Sequence, residues 1–85
     1  MYHKIESSRW DSNSIRYRFI GKSSIRVINE FDQVCIITKR FGKWRCKFKH
    51  KKGYWSYTDA IERQDLRKIL RHRKNILAEK ILLGI

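Results

Sequence analysis

From residue 14 onward the apolar positions fall into two different periods. Ile15, Tyr17 and Phe19 alternate with Arg16 and Arg18, the period of two that marks a half-buried strand. Gly21-Lys22-Ser23 reads as a turn. Residues 24–29 read as a second strand with Ile25 and Val27 on one face, and Glu30-Phe31-Asp32 make the next connection. Residues 34–39 and 43–49 are a third and a fourth strand, joined by a short loop containing Gly42. With Arg40, Phe41 and Gly42 as that loop, Lys39 faces Lys43. Ile36 then opposes Cys46, Thr38 opposes Trp44, and Val34 opposes Phe48. That face is apolar. The other carries Lys39, Lys43, Arg45 and Lys47, along with Cys35 and Ile37, and a slip of one residue would set lysines against core side chains. A cationic turn, 49–53, leads to a short fifth strand over 54–57. Its register stays open, so Tyr54 and Trp55 compete for the core and one of them is expected to be exposed.

Beyond residue 58 the spacing becomes helical. Asp59 with Glu62 three residues on resembles a capping box, with Asp in place of Ser or Thr. Leu66, Ile69, Leu70, Ile76, Leu77 and Ile81 form the stripe expected to be buried. Arg73 stands where that stripe calls for an apolar residue, so a kink is expected near 71–75. On the opposite side Arg63, Arg67, Arg71 and Lys74 make a cationic ridge flanked by Lys68. Charges four residues apart on a helix are about 6 Å apart along its axis, close to the phosphate spacing of one strand. A charged outer face is also ordinary for an amphipathic helix; less ordinary is that Glu62 and Asp65 lie at the start and Glu79 near the end. Residues 1–13 are polar and Ser-rich around Trp10, and read as a flexible arm or an edge strand. The expected fold is α+β: an antiparallel four- to five-stranded β-meander followed by one long C-terminal helix, with 14–85 as a single domain.

Charge sharpens this picture. The 85 residues carry a formal net charge of +13, in a chain long enough for one small core. Such a charge repels itself in the compact state, which points to a polyanionic partner. The stretch 39–52 contains Lys39, Arg40, Lys43, Arg45, Lys47, Lys49, Lys51 and Lys52 without an acid. Phe41, Trp44, Phe48, Tyr54 and Trp55 run through and just past it. Cations neutralise phosphates and aromatic faces stack on bases, so nucleic acid is the expected partner, with Arg63, Arg67, Arg71 and Lys74 as a second rail. RNA is favoured over DNA, because exposed aromatics beside cations suit unstacked bases. Phe41 and one of Tyr54 or Trp55 are the stacking candidates. An anionic membrane surface, an acidic protein, or a merely solvated face would also fit the charge. The N-terminal run MYHKIESSRW has no apolar segment of the secretory kind, and the apolar stretch 81–85 is too short to span a bilayer. The expectation is a cytoplasmic protein without membrane contact.

Enzyme signatures are weak. The carboxylates are scattered and no phosphate-loop glycine pattern occurs. Cys35, Cys46 and His50 are too few for a structural zinc, and the register above points the cysteines to opposite faces, Cys46 inward and Cys35 half-exposed. Neither metal nor cofactor is expected. A metal-free ribonuclease could use His50 or His72, but isolated histidines beside lysines are usually surface residues, and a non-enzymatic binding module is the expectation. Ile76, Leu77, Ile81, Leu82, Leu83 and Ile85 crowd the last ten residues. Consecutive helical residues are about 100° apart, so one sheet cannot cover them all. Weak self-association, or a contact with a host protein, is expected there.

Two resemblances add expectations. Lys43-Trp44-Arg45-Cys46-Lys47-Phe48, preceded by Gly42 and followed by a strand and a helix, resembles the sheet-and-helix DNA readers of the apetala type and the arm-binding domains of phage integrases. The likeness covers 34–75 and implies a three-stranded sheet laid in the major groove of DNA. The third strand is shorter here, and the small residues of the helix–sheet contact are missing. In length, charge and composition, being short, basic, proline-free and rich in Lys, Ile and Arg, the chain also resembles small accessory proteins of T-even bacteriophages. Among these are RNA-binding inhibition factors that counter an RNA-cleaving toxin–antitoxin defence. That resemblance, which no motif carries, implies RNA binding and a ribonucleoprotein complex with the toxin.

Overall fold

The computed structural model describes residues 1–10 and 13–82. Six strands, β1 (His3–Glu6), β2 (Ser14–Phe19), β3 (Ser24–Ile28), β4 (Val34–Arg40), β5 (Lys43–Phe48) and β6 (Trp55–Ser56), lie side by side in sequence order as one antiparallel sheet. A single helix, α1 (Arg63–Leu82), packs on one face. The architecture is the expected α+β meander and helix. The extra strand is β1, which pairs with β2 through His3↔Tyr17 and Ile5↔Ile15 and lays Ile5 against the core.

The register of the β4–β5 hairpin differs from the expected one by a residue. Its loop has two residues, Phe41 (φ 51°) and Gly42 (φ 76°), both in the left-handed region that a type I′ turn requires. Arg40 therefore faces Lys43, Thr38 faces Arg45, Ile37 faces Cys46 and Cys35 faces Phe48. β5 keeps its expected faces. β4 is turned over: Cys35 and Ile37 are buried, while Val34, Ile36 and Thr38 face outward. The reason lies on the other side of β4. It also pairs with β3, through Ile25↔Ile37 and Val27↔Cys35, and a central strand must present its inward set to both neighbours. Both cysteines thus lie on the same buried face, which corrects the expectation of opposite faces and of a half-exposed Cys35. Burial, with Cys46 nearby, pushes the Cys35 thiol up to about 12. Burial and Asp59, against Lys51, push Cys46 up to about 11. Both thiols stay protonated and unreactive at neutral pH.

The helix also starts later than the Asp59 capping pattern predicts. Residues Tyr57–Asp59 form a 3₁₀ turn, in which the Ser56 side chain accepts from the Thr58 N–H at 3.4 Å. The first bond of α1 runs from the Leu66 N–H to the Glu62 carbonyl at 3.1 Å. From Arg63 the helix continues unbroken through 71–75. Arg73, the polar interruption of the stripe, has partners of its own. Its Nη1 donates to the Lys22 carbonyl at 2.9 Å, and its guanidinium lies 5.8 Å from the centre of the Trp44 ring. Leu66 and Ile69 are buried with Ala60 and Ile61, and Leu70 packs against them. Farther on the stripe runs out of sheet. A helix of 20 residues is about 30 Å long, against about 23 Å for the seven residues of β4. Leu77, Ile81 and Leu82 are accordingly exposed, Ile81 by 79%. Leu83 and Ile85, which share that apolar run, lie outside the described residues. Among the described residues no helix is long and apolar enough to cross a membrane.

A polar knot ties the N-terminal segment to the start of the helix. The Ser7 hydroxyl donates to Glu30 Oε2 at 2.9 Å, and Arg9 pairs with Glu30 Oε1. Arg9 and Asn29 both donate to the Ala60 carbonyl, at 3.1 and 2.8 Å. Asp65, fully buried in the first turn of α1, accepts from the backbone and hydroxyl of Ser8 at 3.2 and 3.1 Å. A carboxylate there also meets the positive end of the helix dipole.

Candidate nucleic-acid interface

Only one face of the sheet is covered by the helix. Alternation along each strand sends Ile15, Tyr17, Ile25, Val27, Cys35, Ile37, Cys46 and Phe48 to the covered face. The opposite face receives Lys4, Arg16, Arg18, Arg26, Arg40, Lys43, Arg45 and Lys47. The acid these strands contribute to that face is Glu6, at the β1 edge. Cations on alternate residues of one strand stand about 7 Å apart, and neighbouring strands about 5 Å apart. Lys4 lies directly opposite Arg16, Arg18 opposite Arg26, and Arg40 opposite Lys43. Like charges placed so destabilise a sheet. Arg16 has Asp32 at 3.4 Å. Among the described residues, no carboxylate lies within 4 Å of Arg18, Arg26, Arg40, Lys43, Arg45 or Lys47.

The structure gathers some of the expected residues on this face and disperses others. Arg40, Lys43, Arg45 and Lys47 share it, and Lys49 extends their row past the end of β5, its N–H bonded to the Val34 carbonyl at 2.9 Å. Lys39 has the other parity and is exposed beside Trp44. Lys51 leaves the row: its Nζ lies 4.8 Å from the centre of the Phe48 ring and 5.5 Å from that of Trp55. Lys52 is exposed in the turn. Arg63, Arg67, Arg71 and Lys74 are all exposed on α1. Because the helix packs on the covered face, its outer ridge points away from the open one. The two rails therefore face opposite sides of the molecule.

Among the stacking candidates, Phe41 is 93% exposed at the hairpin tip. Tyr54 and Trp55 are both exposed, which corrects the expectation that one would enter the core. β6 is two residues long and pairs with β5 alone among the described strands, so both rings stay at the surface, Tyr54 54% and Trp55 44% exposed. Tyr54 lies on the open side with Lys47 Nζ 6.0 Å from its ring centre.

Sequence reasoning missed Lys4, Arg16, Arg18 and Arg26. Their signal was present in the period-two pattern, since the residues between inward-facing Ile15, Tyr17, Ile25 and Val27 had to point outward together. It also missed a second exposed aromatic pair, Trp10 and Phe31, edge to face at 6.2 Å with Arg9 over Phe31 at 5.3 Å.

No family model, no curated protein and no solved structure matches this chain. Its chemistry is therefore read from its own side chains. The histidines named as nuclease candidates are far apart in setting. His50 is exposed in the loop after β5. His72 lies on the covered side, its Nδ1 2.8 Å from the Tyr17 hydroxyl and its ring edge to face with His3 at 4.6 Å. Among the described residues, no three His, Cys, Asp or Glu side chains gather as metal ligands.

Proposed function

We propose that this protein binds RNA through the open face of its sheet, mainly by phosphate contacts and with little sequence specificity. The supporting observation is the like charges held directly opposite one another, Arg18 with Arg26 and Arg40 with Lys43, without carboxylate partners among the described residues. Each such pair costs stability, roughly 0.2–1 kcal/mol by the scale of cross-strand interactions. Folding alone gives no reason to accumulate them, whereas a phosphate backbone turns the same repulsion into attraction. The protein acts in this reading as a binding module in the cytoplasm, not as an enzyme. The resemblance to T-even phage accessory proteins extends it to inhibition of a host RNA-cleaving toxin through an RNA-containing complex. Weak self-association through the exposed end of α1 would double the cationic surface available to a long RNA.

The test is a titration of labelled single-stranded RNA, duplex RNA and duplex DNA at several salt concentrations. Affinity for RNA is expected to fall steeply and log-linearly with salt, and the joint replacement of Arg18, Arg26, Arg45 and Lys47 by Gln to flatten that dependence. Absence of binding to all three at low salt refutes the reading. A second reading, a sheet-type DNA binder, draws on the same arrangement of an open cationic sheet backed by a helix. Sequence-dependent preference for duplex DNA would select it. The remaining alternative is direct antagonism of an acidic host protein. It would be favoured by a partner retained in full after ribonuclease treatment, by a protein that binds no free RNA.

A further inference from the structure

Resting on the RNA-binding reading, we infer that the ligand is a single strand lying along β5, with unstacked bases seated beside it on the open face. Two features carry this. The first is the row Lys43, Arg45, Lys47 and Lys49, which projects to one side of the sheet at about 7 Å intervals. A row of this kind follows one backbone. The second is what flanks the row. On the β4 side lies a depression of about 300 Å³ whose apolar lining includes Val34 and Ile36 and whose cations are Arg26, Lys47 and Lys49. Toward the hairpin tip a smaller hollow of about 170 Å³ is lined by Arg40, Phe41, Arg45 and Tyr54.

An apolar floor with a cationic rim suits a nucleobase whose own phosphate lies at the edge. Water is displaced from Val34 and Ile36, and charge meets charge around them. Ile36 is 38% exposed, between Arg26 on β3 and Lys47 on β5, where a purely electrostatic face would carry a polar residue. In the second hollow the exposed rings of Tyr54 and Phe41 offer stacking surfaces that accept any base. A duplex keeps its bases paired and stacked inside the helix. It could reach the cations but not use the apolar floor or the rings.

The experiment compares a ten-nucleotide single-stranded RNA with a ten-base-pair RNA duplex, each titrated against the full chain over a salt series. The single strand is expected to bind more tightly at every salt concentration. Tyr54→Ala is expected to weaken the single strand about fivefold or more, the effect of losing one stacked base, and Tyr54→Phe to restore it. Ile36→Asn is expected to weaken the single strand also. Neither change removes a charge, so the salt slope should stay at its original value, whereas Lys47→Ala should lower it by about one. Both side chains are exposed, so the variants keep the fold, and unchanged thermal unfolding verifies this. Equal binding of the two RNAs, with Tyr54→Ala and Ile36→Asn behaving as the parent, overturns the single-strand track and leaves the phosphate reading standing. No binding of either RNA overturns both.

Discussion

At the end of the sheet where α1 begins, Arg9 is held by Glu30, by the Ala60 carbonyl and, at 3.6 Å, by Glu62. On the open face Arg26 stands opposite Arg18 with no carboxylate within 4 Å among the described residues. The same side chain serves two ends. In the knot, charge is drawn out of water onto partners, Arg9 Nη2 onto Glu30 and the Ala60 carbonyl, so the group fixes how the N-terminal segment sits on the helix. On the open face, Arg26 remains in water opposite Arg18, so the group contributes repulsion to the fold and attraction to an anion. Two acids are thus kept where structure needs them, and the centre of the open sheet face is left to cations. Glu30 and Asp65 are buried at one end, and none of the central open-face positions holds a carboxylate.

The largest effect expected from this contrast is the loss of Glu30. Its side chain is fully buried, and removing it leaves Arg9 without its principal partner and the Ser7 hydroxyl without an acceptor. Breaking a buried ion pair in this way costs about 3 kcal/mol, the low end of the usual range, because Arg9 keeps some contact with water. Glu30→Ala should show the loss as a lower midpoint of denaturant unfolding. A midpoint shifted no more than by a surface substitution would mean that the knot does not hold the arm to the helix.

Much of the fold was legible because it rests on local periodicity. The inward sets of β2 and β3 and the existence of α1 follow from apolar spacing alone. The face of β4 did not, for a physical reason. Its sequence Val34-Cys35-Ile36-Ile37-Thr38 is apolar on both parities, so the pattern within the strand is silent and its two neighbours decide. A two-residue turn and a three-residue loop differ by one in register, and that difference moved Val34 and Ile36 from the expected core to the open face. The half of the candidate site on β5 was legible as a cationic run. The half on β2 and β3 was visible as alternation but not as a patch, because only the topology shows that these strands share a face with β5. The role of Arg73 was hidden for a similar reason: its acceptor, the Lys22 carbonyl, is distant in sequence.

An intermediate effect with the opposite sign is expected on the open face. Arg26→Gln removes one member of the Arg18–Arg26 pair and leaves a polar side chain on the same strand. Thermal and denaturant unfolding should show a small gain in stability, about 0.2–1 kcal/mol, while RNA affinity falls and the salt slope decreases by about one. Stability and binding then move in opposite directions, which a residue of the knot cannot do. Loss of stability on this substitution would show that Arg26 contributes to the fold through its stem rather than opposing it through its charge.

The smallest expected effect lies on the covered face, where the contrast between paired and unpaired charge becomes pH-dependent. His3 on β1 packs against Tyr17, Phe19 and His72. Burial first, and the neighbouring His72 second, hold its pKa below the usual histidine value of 6.5. In the unfolded chain the imidazole takes up its proton at its ordinary value, whereas in the folded protein it resists. The folded state therefore loses stability as pH falls below 6.5, until the lowered folded value is passed and both states are protonated. Above 6.5 both states are neutral and His3 makes no difference. His3→Phe keeps an aromatic ring at this position and removes the titration. Unfolding midpoints measured from pH 7.5 to pH 5 should decline less in His3→Phe than in the parent chain, with the two curves separating only below 6.5. Curves of the same slope throughout would mean that the ring of His3 is hydrated in solution and that the β1 edge opens enough to accept a proton without cost.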